Sequence, residues 1–443
     1  MRTVSGHASR PARRWIQNKM AIVVAGPGTP SADDLATEPL LPAAETALPW
    51  IVDVRRRLHR HPEIGLQLPF TQGVVADELR RLGIEPRLGR SVSSVTATID
   101  GPDPGPTILL RADMDALPLQ EETGLDFASE MPGAMHACGH DTHVAMLLGA
   151  AHLLMDRRAG LHGRVLLMFQ PGEEGYHGAR CMLDEGLLDE ASRGADGDDP
   201  ARDTRPSAAF AIHIGMRYPA GTINIRPGAQ MASGDTLRIT VRGRGGHASS
   251  PHLALDPITI AAEIVLALQT MVTRRVDPFD PAVVTIASID GGTTTNIIPE
   301  SASLQGTIRT VSAKTREAVR SAIERLVPRI AEAHGGSAEL TIEPGYPVTV
   351  NDPAFTQLVR TTARDLLGEA RIHDLVAPIM GSEDFSYVLQ QVPGAIAFLG
   401  ARPPDRDVDS TPQNHSDRVV FQEDVMAVGA ALYAAVATDH LSS

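Results

Sequence analysis

The chain has 443 residues, 42% of them hydrophobic and 21% charged, which predicts a globular protein of two or three domains. Its formal net charge of −14 argues against nucleic acid and anionic membrane surfaces as partners, because both would repel it. Its two cysteines are too few for a disulfide framework and no run reaches the roughly 18 apolar residues of a membrane span, so we expect a cytoplasmic protein.

The first predicted elements follow an extension. Residues 1–45 are rich in proline, alanine and threonine, and we expect them to be disordered. An amphipathic helix is predicted over 50–59, and from there to 227 short apolar runs alternate with helical stretches. This alternation is typical of a parallel sheet with crossover helices, with strands at 107–111, 165–170 and 208–212 and a buried helix at 144–155. The acidic stretch 189–206 is predicted to be a mobile surface loop.

A second unit is predicted over 228–343. Strands at 237–243, 283–289, 304–311 and 338–342 and helices at 258–273 and 314–333 occur in the order β-α-β-β-α-β, a ferredoxin-like layout. After 344 the α/β pattern resumes, with a strand at 395–399 and a closing helix at 422–436. The predicted fold class is therefore α/β, a discontinuous domain formed by 46–227 and 344–443 into which a smaller α+β domain is inserted.

Reactive side chains recur where the predicted strands end. Two aspartates follow the first strand, two glutamates the second and a histidine the third, while other residues of this kind precede the buried helix or lie in a late loop. They are Asp113, Asp115, Cys138, His140, Glu173, Glu174, His213 and His415. Because the carboxyl ends of the strands share one edge of an open α/β sheet, we expect these side chains to meet in one crevice.

Five of these side chains together predict a metal site. Thiolate, imidazole and carboxylate donors suit zinc and other divalent transition metals. Five ligands exceed what one catalytic tetrahedral ion needs, which favours two ions that share a ligand and a water and leaves Glu173 as a general base. Taken singly, each residue is more typical of a buried core or a solvated turn. The five candidates are Cys138, His140, Glu174, His213 and His415.

Eight motifs connect the chain to a known family. They are LHRHPE at 58–63, RADMDALP at 111–118, MHACGHD at 135–141, FQPGEEG at 169–175, GGHAS at 245–249, TNIIP at 295–299, GTIR at 306–309 and MGSEDF at 380–385. With these motifs the chain resembles the M20 metallopeptidase family. The closest likeness is to its amidohydrolase branch, which includes hippurate hydrolases, indole-acetyl-amino-acid hydrolases and N-acyl-amino-acid deacylases. The Cys-Gly-His motif separates this branch from relatives that bridge their metals with an aspartate.

The resemblance implies a role for each metal-site residue. Cys138 would be the thiolate that bridges two divalent ions (zinc, manganese, nickel or cobalt), and Glu173 the base that takes a proton from the bridging water. Asp115 would orient a ligand imidazole. The role of Asp113 stays open, and neither His136, His143 nor His177 is expected to be a ligand. The other implied ligands are His140, Glu174, His213 and His415.

The resemblance also implies roles for the inserted domain. In this family the domain acts as a lid, dimerises and supplies substrate-binding residues, so we expect a homodimer. His247 would donate to the oxyanion of the tetrahedral intermediate, and Asn296 and Arg309 would hold the carboxylate of the substrate. The alternatives are that His247 lies in a simple tight turn and that Arg309 is a surface residue.

The predicted function is metal-dependent hydrolysis of the amide bond of N-acyl amino acids, either hippurate-like or N-acetylated. A dipeptidase or carboxypeptidase of the same family would share every catalytic residue. A non-catalytic homologue that binds metal is a third alternative, but Glu173 argues against it because a binding protein has no use for a base. The acyl group, the amino acid and the metal stay open.

Overall fold

The computed structural model describes residues 39–192 and 205–442. Its α-helices, numbered α1 to α9, are Leu40–Arg60, Pro69–Arg81, His140–Asp156, Gly178–Asp184, Pro257–Arg275, Ala313–Ala333, Pro353–Leu367, Ser386–Leu389 and Val425–Leu441. Its strands, numbered β1 to β16, are Arg87–Leu88, Val95–Asp100, Asp103–Asp113, His162–Gln170, Ala208–Pro219, Ile223–Ile225, Gly228–Met231, Ser233–Arg242, Gly246–His247, Ala282–Gly291, Ile297–Ile298, Ser301–Thr310, Ser337–Pro344, Thr349–Asn351, Ile372–Asp374 and Gly394–Arg402. Most of the predicted extension over 1–45 and of the predicted loop over 189–206 lies outside the described residues.

The larger domain is built on an eight-stranded sheet with the order β1-β2-β4-β3-β5-β16-β6-β15. The four central strands β4, β3, β5 and β16 are parallel, but β2 and β6 pair with their central neighbours in the antiparallel sense. The prediction of a parallel sheet is therefore wrong at its flanks. A strand buried on both faces has the same apolar sequence in either orientation, so the pattern does not reveal direction.

Three helices, α1, α3 and α9, pack together over one face of this sheet. A Cβ at Gly149 in α3 would come within 2.7 Å of Ile51 in α1, so the close approach of these two helices depends on a glycine there. Helix α1 begins at Leu40, which makes the predicted extension too long and the predicted helix too short. Pro49 inside α1 costs a backbone hydrogen bond. The complete burial of Ala44 and Ile51 on either side of it offsets that loss.

The inserted domain spans 233–344 by its strand bounds, against the predicted 228–343. Its four strands β8, β10, β12 and β13 form an antiparallel sheet in the order β10-β12-β8-β13, with α5 and α6 packed on it. By length and composition α5 could cross a membrane, but Ile260, Ile264 and Leu268 on one side of it pack in the core of this domain. The buried apolar residues of α5 thus belong to the core of this domain.

Candidate metal centre

The predicted ligands converge beyond the ends of the central strands. They form two groups of three donor atoms, and within each group all the atoms lie within 4.8 Å of one another. One group is formed by Cys138, His140 and His213, the other by Cys138, Glu174 and His415. The sulfur of Cys138 belongs to both groups, and it lies 3.5 Å from Nε2 of His213 and 3.3 Å from Nε2 of His415. The shared sulfur is the arrangement that two ions bridged by one thiolate require.

Gly139 explains how Cys138 and His140 both face the site. Its φ of 91° lies in the left-handed region, and it precedes His140, the first residue of α3. A Cβ at Gly139 would stand 2.5 Å from the side chain of Ile214. Both the backbone conformation and the lack of space therefore require glycine at the centre of the Cys-Gly-His motif.

Two of the imidazoles have their tautomer set by a backbone carbonyl. Nδ1 of His140 donates to the carbonyl of Asp115 at 2.8 Å, and Nδ1 of His213 donates to the carbonyl of Ile214 at 2.7 Å. In the neutral tautomer that this bond selects, each ring has an unprotonated Nε2, as a metal ligand must. The backbone of Asp115 orients His140, whereas its carboxylate, 3.5 Å from that ring, accepts the N–H groups of Glu173 and Glu174.

The loop that carries His415 is attached to the Cys-Gly-His segment. His415 has a φ of 69°, uncommon for a residue with a Cβ, and its N–H donates to the carbonyl of Ala137 at 2.9 Å. The Asn414 side chain donates to the carbonyls of Cys138 and Ile214 at 3.0 and 3.1 Å. Asn414 was not predicted as a site residue. The only feature that could have indicated it is its position directly before a candidate ligand.

The chemistry of the donor set fits divalent cations. Within the described residues, Nε2 of His140 is buried without a hydrogen-bond partner, although buried polar atoms are normally satisfied, and Oε1 of Glu174 lies 3.3 Å from Nε2 of His415. Burial raises the pKa of the Cys138 thiol, so a thiolate here needs compensating positive charge. Burial and the neighbouring His143 hold the pKa of His213 well below its usual value, which keeps that ring neutral.

Glu173 lies beside the ligands and is held by its backbone. Its N–H donates to the Asp115 carboxylate at 2.9 Å, and its carbonyl accepts from the Tyr346 hydroxyl at 2.5 Å. A carboxylate oxygen of Glu173 lies within 4.8 Å of donor atoms of His140 and Glu174. Burial, followed by the charges of Glu383 and Glu174, raises the pKa of Glu173 well above its usual value. This is a suitable position and environment for a base.

A buried ion network behind Glu173 was not predicted. The Arg111 guanidinium donates to Asp113 and Glu383 at 2.8 Å and to Asp384 at 3.2 Å, and all four side chains are inaccessible to solvent. The sequence does indicate such a network, because an arginine inside the apolar strand β3 has to be paired with acidic residues. Because Glu383 and Asp384 also lie within 4.8 Å of Glu173, the network supports the floor of the site.

Asp113 and His143 are hydrogen-bonded within this network, and together with His140 they also form a group of donor atoms within 4.8 Å of one another that could hold a metal ion. Nε2 of His143 accepts the N–H of Ile214 at 2.8 Å, and Nδ1 therefore carries the proton that it shares with Asp113 at 2.5 Å. Both ring nitrogens of His143 are thus engaged in hydrogen bonds. Neither His136 nor His177 occurs in the groups of donor atoms found among the described residues.

A cavity of about 540 Å³ opens over the ligands, a volume typical of small-molecule sites. Arg309 of the inserted domain lines it and donates to the Ser382 hydroxyl at 2.8 Å. No carboxylate in the described ranges lies within ion-pair distance of this guanidinium. The apolar part of the lining consists of Ile214, Tyr218, Met231, Ile379 and Phe398.

The structure does not bring His247 and Asn296 to this cavity. Both are exposed on the small ribbon that β9 and β11 form at the surface of the inserted domain. Nδ1 of His247 bonds the Ser249 hydroxyl at 2.8 Å, and the side chain of Asn296 bonds the Thr294 hydroxyl at 2.9 Å. Of the residues predicted to bind substrate or oxyanion, only Arg309 lines the cavity of its own chain.

The chain that carries these residues is similar to a known protein family and to several known proteins. The family model described as peptidase family M20/M25/M40 matches residues 109–439. The chain is 39% identical over 392 residues to Thermostable carboxypeptidase 1 of Saccharolobus solfataricus, covering 88% of this chain and 94% of that protein. It is 36% identical over 396 residues to IAA-amino acid hydrolase ILR1-like 2 of Arabidopsis thaliana, covering 88% and 85%. The solved structure of Bacillus subtilis YXEP, described as a dinuclear metal binding peptidase from the M20 family, has a TM-score of 0.75 and 33% identity, covering 90% and 99%.

Proposed function

The chain belongs to peptidase family M20/M25/M40, as its motifs predict, and from this we propose that it is a metal-dependent amidohydrolase that cleaves N-acyl amino acids. The observation that carries the proposal is the pair of ligand groups that share Cys138, beside the buried carboxylate of Glu173. The relative named as an IAA-amino acid hydrolase supports an acylated amino acid as the substrate.

The chemistry divides between cations and side chains. Two divalent cations would be held by the five candidate ligands, and they would supply Lewis acidity and a water of lowered pKa. Glu173, whose carboxylate lies among the donor atoms, would accept a proton from that water and return it to the nitrogen of the leaving amine. Thiolate and imidazole donors favour zinc, nickel or cobalt over magnesium and calcium, and manganese is a further candidate.

Arg309 supplies the recognition of the free carboxylate. Its guanidinium lines the cavity and donates one N–H to Ser382. Further N–H groups are therefore available for a bidentate interaction with a carboxylate. In the same cavity, the rings of Tyr218 and Phe398 lie 6.0 Å apart and form part of the apolar lining. A substrate with a carboxylate at one end and an apolar group at the other matches this arrangement.

His247 and Asn296 support a homodimer. Both are exposed on the inserted domain and would be without a role in a single chain. Ile289 and Ile297 near them are each 57% exposed, which is unusual for isoleucine. We propose that two inserted domains associate so that this ribbon reaches the cavity of the partner. There His247 would donate to the oxyanion and Asn296 would contact the carboxylate.

The carboxypeptidase name of one relative favours a second candidate function. A carboxypeptidase cleaves the amide bond next to a free C-terminal carboxylate, so it would use the same ligands, the same base and Arg309. The difference lies only in what occupies the apolar side of the cavity.

The cytoplasm is the proposed location, supported by two free cysteines, Cys138 and Cys181.

The decisive assay compares substrates with and without a free carboxylate. With zinc or manganese supplied, we expect hydrolysis of N-acetyl, N-benzoyl or indole-acetyl amino acids. We expect the C-terminal amides of the same compounds to have kcat/KM lower by about 10–100-fold, the value of a lost hydrogen bond to a charged group. Arg309→Ala should lower kcat/KM for the free acids by a similar factor and leave the amides nearly unchanged.

An equal loss on acids and amides would show that Arg309 does not read the carboxylate. Cleavage of peptides from the C-terminus, with no cleavage of any N-acyl amino acid, would favour the carboxypeptidase. If metal-loaded protein hydrolyses none of these compounds, the chain is a binding protein and the proposal is wrong. Arg238, exposed on β8 of the same domain and outside this cavity, offers a matched arginine-to-alanine control.

The dimer is tested by mixing two inactive variants. Glu173→Gln and His247→Ala are each expected to be inactive alone. After subunit exchange, half of the dimers are mixed, and each has one site with an intact base and an intact His247 from the partner. About one quarter of wild-type activity should therefore return if the symmetric interface places His247 in trans. The double variant exchanged with wild type is the control: its mixed dimers contain no intact site if His247 acts in trans, so the activity of that mixture should fall on exchange from one half to one quarter of wild type.

No recovery with verified exchange would mean that His247 does not act across the interface. Size-exclusion chromatography with light scattering gives the oligomeric state directly. A monomer would reject the proposed association of inserted domains while leaving the assignment of the metal ligands untouched.

A further inference from the structure

Tyr346 lies where the chain returns from the inserted domain to the larger one. It stands between β13, which ends at Pro344, and β14, which begins at Thr349. Its side chain is only 7% exposed, and its ring packs edge-on against His177 with 4.9 Å between the centroids. A tyrosine buried in a domain connection has few ways to move.

The Tyr346 hydroxyl bridges the backbone of the loop that contains the proposed base. It donates to the carbonyl of Glu173 at 2.5 Å and accepts the N–H of Gly175 at 2.7 Å. From the other side, the carboxylate of Asp115 accepts the N–H groups of Glu173 and Glu174. The loop is thus held by one residue of the larger domain and one residue of the domain connection.

The backbone on either side of this hydroxyl is attached to the inserted domain. The carbonyl of Tyr346 accepts the N–H of Gly234 at 3.0 Å, at the start of β8 in the inserted domain. Gly345 donates to the carboxylate of Asp235 at 3.1 Å, and Arg316 at the start of α6 pairs with Asp235 and donates to the carbonyl of Gly345. Movement of the inserted domain is therefore transmitted to Tyr346.

We infer that Tyr346 is a positioning residue that sets the place of Glu173 and couples it to the orientation of the inserted domain. This rests on the proposed function, in which Glu173 is the base. Burial raises the pKa of Tyr346 above its usual value, so the hydroxyl stays protonated and acts only as a bridge. Because Arg309 belongs to the same inserted domain, substrate bound there acts on the unit that anchors Tyr346.

Tyr346→Phe tests the bridge, because it removes the hydroxyl and retains the ring. We expect kcat to fall by about 10–100-fold, as small misplacements of a catalytic group do, with KM changed little. Metal content by elemental analysis should remain at the wild-type value. Tyr387→Phe is the comparison variant, since its hydroxyl bonds His177 at 3.0 Å and the carbonyl of Gly345 at 3.4 Å but makes no bond to the backbone of Glu173 or Gly175. Its kcat should therefore fall less than that of Tyr346→Phe, and an equal loss in both variants would contradict a bridge through Tyr346.

Arg316→Met tests the coupling to the inserted domain. It removes the contacts with Asp235 and Gly345 and should lower kcat less than Tyr346→Phe does, again without loss of metal. The double variant should be no slower than Tyr346→Phe alone, because both changes act on the same contact. Fully additive effects on kcat would contradict the coupling.

Wild-type kcat in Tyr346→Phe overturns the inference. A loss confined to KM, or one that accompanies loss of metal, also overturns it, because either result assigns the hydroxyl to binding or to folding. Failure of the proposed function would look different. In that case Glu173→Gln itself would retain kcat, whatever the behaviour of Tyr346→Phe.

Discussion

Glu173→Gln is expected to lower kcat by about 10²–10⁴-fold, the range that general acid–base catalysis contributes. Glutamine has the same shape but does not accept a proton near neutral pH. The hydrogen bonds that hold Glu173 among the described residues involve its backbone, through Asp115, Tyr346 and Gly175, so the loop should keep its place. Steady-state kinetics on metal-loaded protein measures the effect, with metal content checked in parallel.

The stability of this variant gives an independent check. The pKa of Glu173 is raised by burial and by neighbouring carboxylates, so its ionised form opposes folding at neutral pH. Without added metal, the Tm of Glu173→Gln should therefore be no lower than that of wild type. Glu122→Gln, at an exposed ion pair with Arg418, is the control for the chemical change itself. Retention of activity within tenfold of wild type would exclude Glu173 as the base.

Cys138→Ala is expected to weaken metal binding by more than about 100-fold, the upper end of what the loss of an outer hydrogen-bond partner costs. Its sulfur belongs to both donor groups, so its removal would take a ligand from each of the two proposed ions at once. Hydrolysis should fall to the background rate at metal concentrations that saturate the wild type. Elemental analysis after dialysis, and activity titrated with zinc or manganese, measure the two effects.

Cys181→Ala is the matched control for this experiment. Cys181 is the other free cysteine, half-buried in α4, and occurs in neither donor group. It should bind metal and hydrolyse substrate as the wild type does. A Cys138→Ala protein that keeps two ions after dialysis would show that the thiolate does not bridge.

Removal of metal from the wild type by a chelator should abolish activity, and added metal should restore it.

Much of the fold follows from local pattern. The buried helix predicted over 144–155 is contained in α3, and the strands predicted at 107–111, 165–170 and 208–212 are contained in β3, β4 and β5. Apolar periodicity reports burial, which these elements share whatever their neighbours. It does not report strand direction, and so the antiparallel pairing of β2 and β6 was missed. Nor did it reveal that α1 continues through Pro49, since a proline normally ends a helix.

The convergence of the five candidate ligands could be predicted because parallel strands end at one edge and because donor chemistry is visible in a sequence. The contacts that orient them could not. Asp115 acts on His140 through its carbonyl, and Asn414 through side-chain bonds to two backbone carbonyls. Backbone carbonyls are identical at every position, so no residue type marks the ones that serve a site.

The sequence by itself determined which atoms are available for chemistry here: a thiol, imidazoles, carboxylates and a guanidinium, in motifs that specify the family. Only the tertiary structure decided which of them meet. Arg309 lines the cavity, whereas His247 and Asn296 of the same domain do not. The hydroxyl of Tyr346 donates to the carbonyl of Glu173, a residue 173 positions earlier in the sequence. Distances between residues far apart in the chain depend on how whole domains pack, and that packing is the sum of many contacts, none of which a local pattern records.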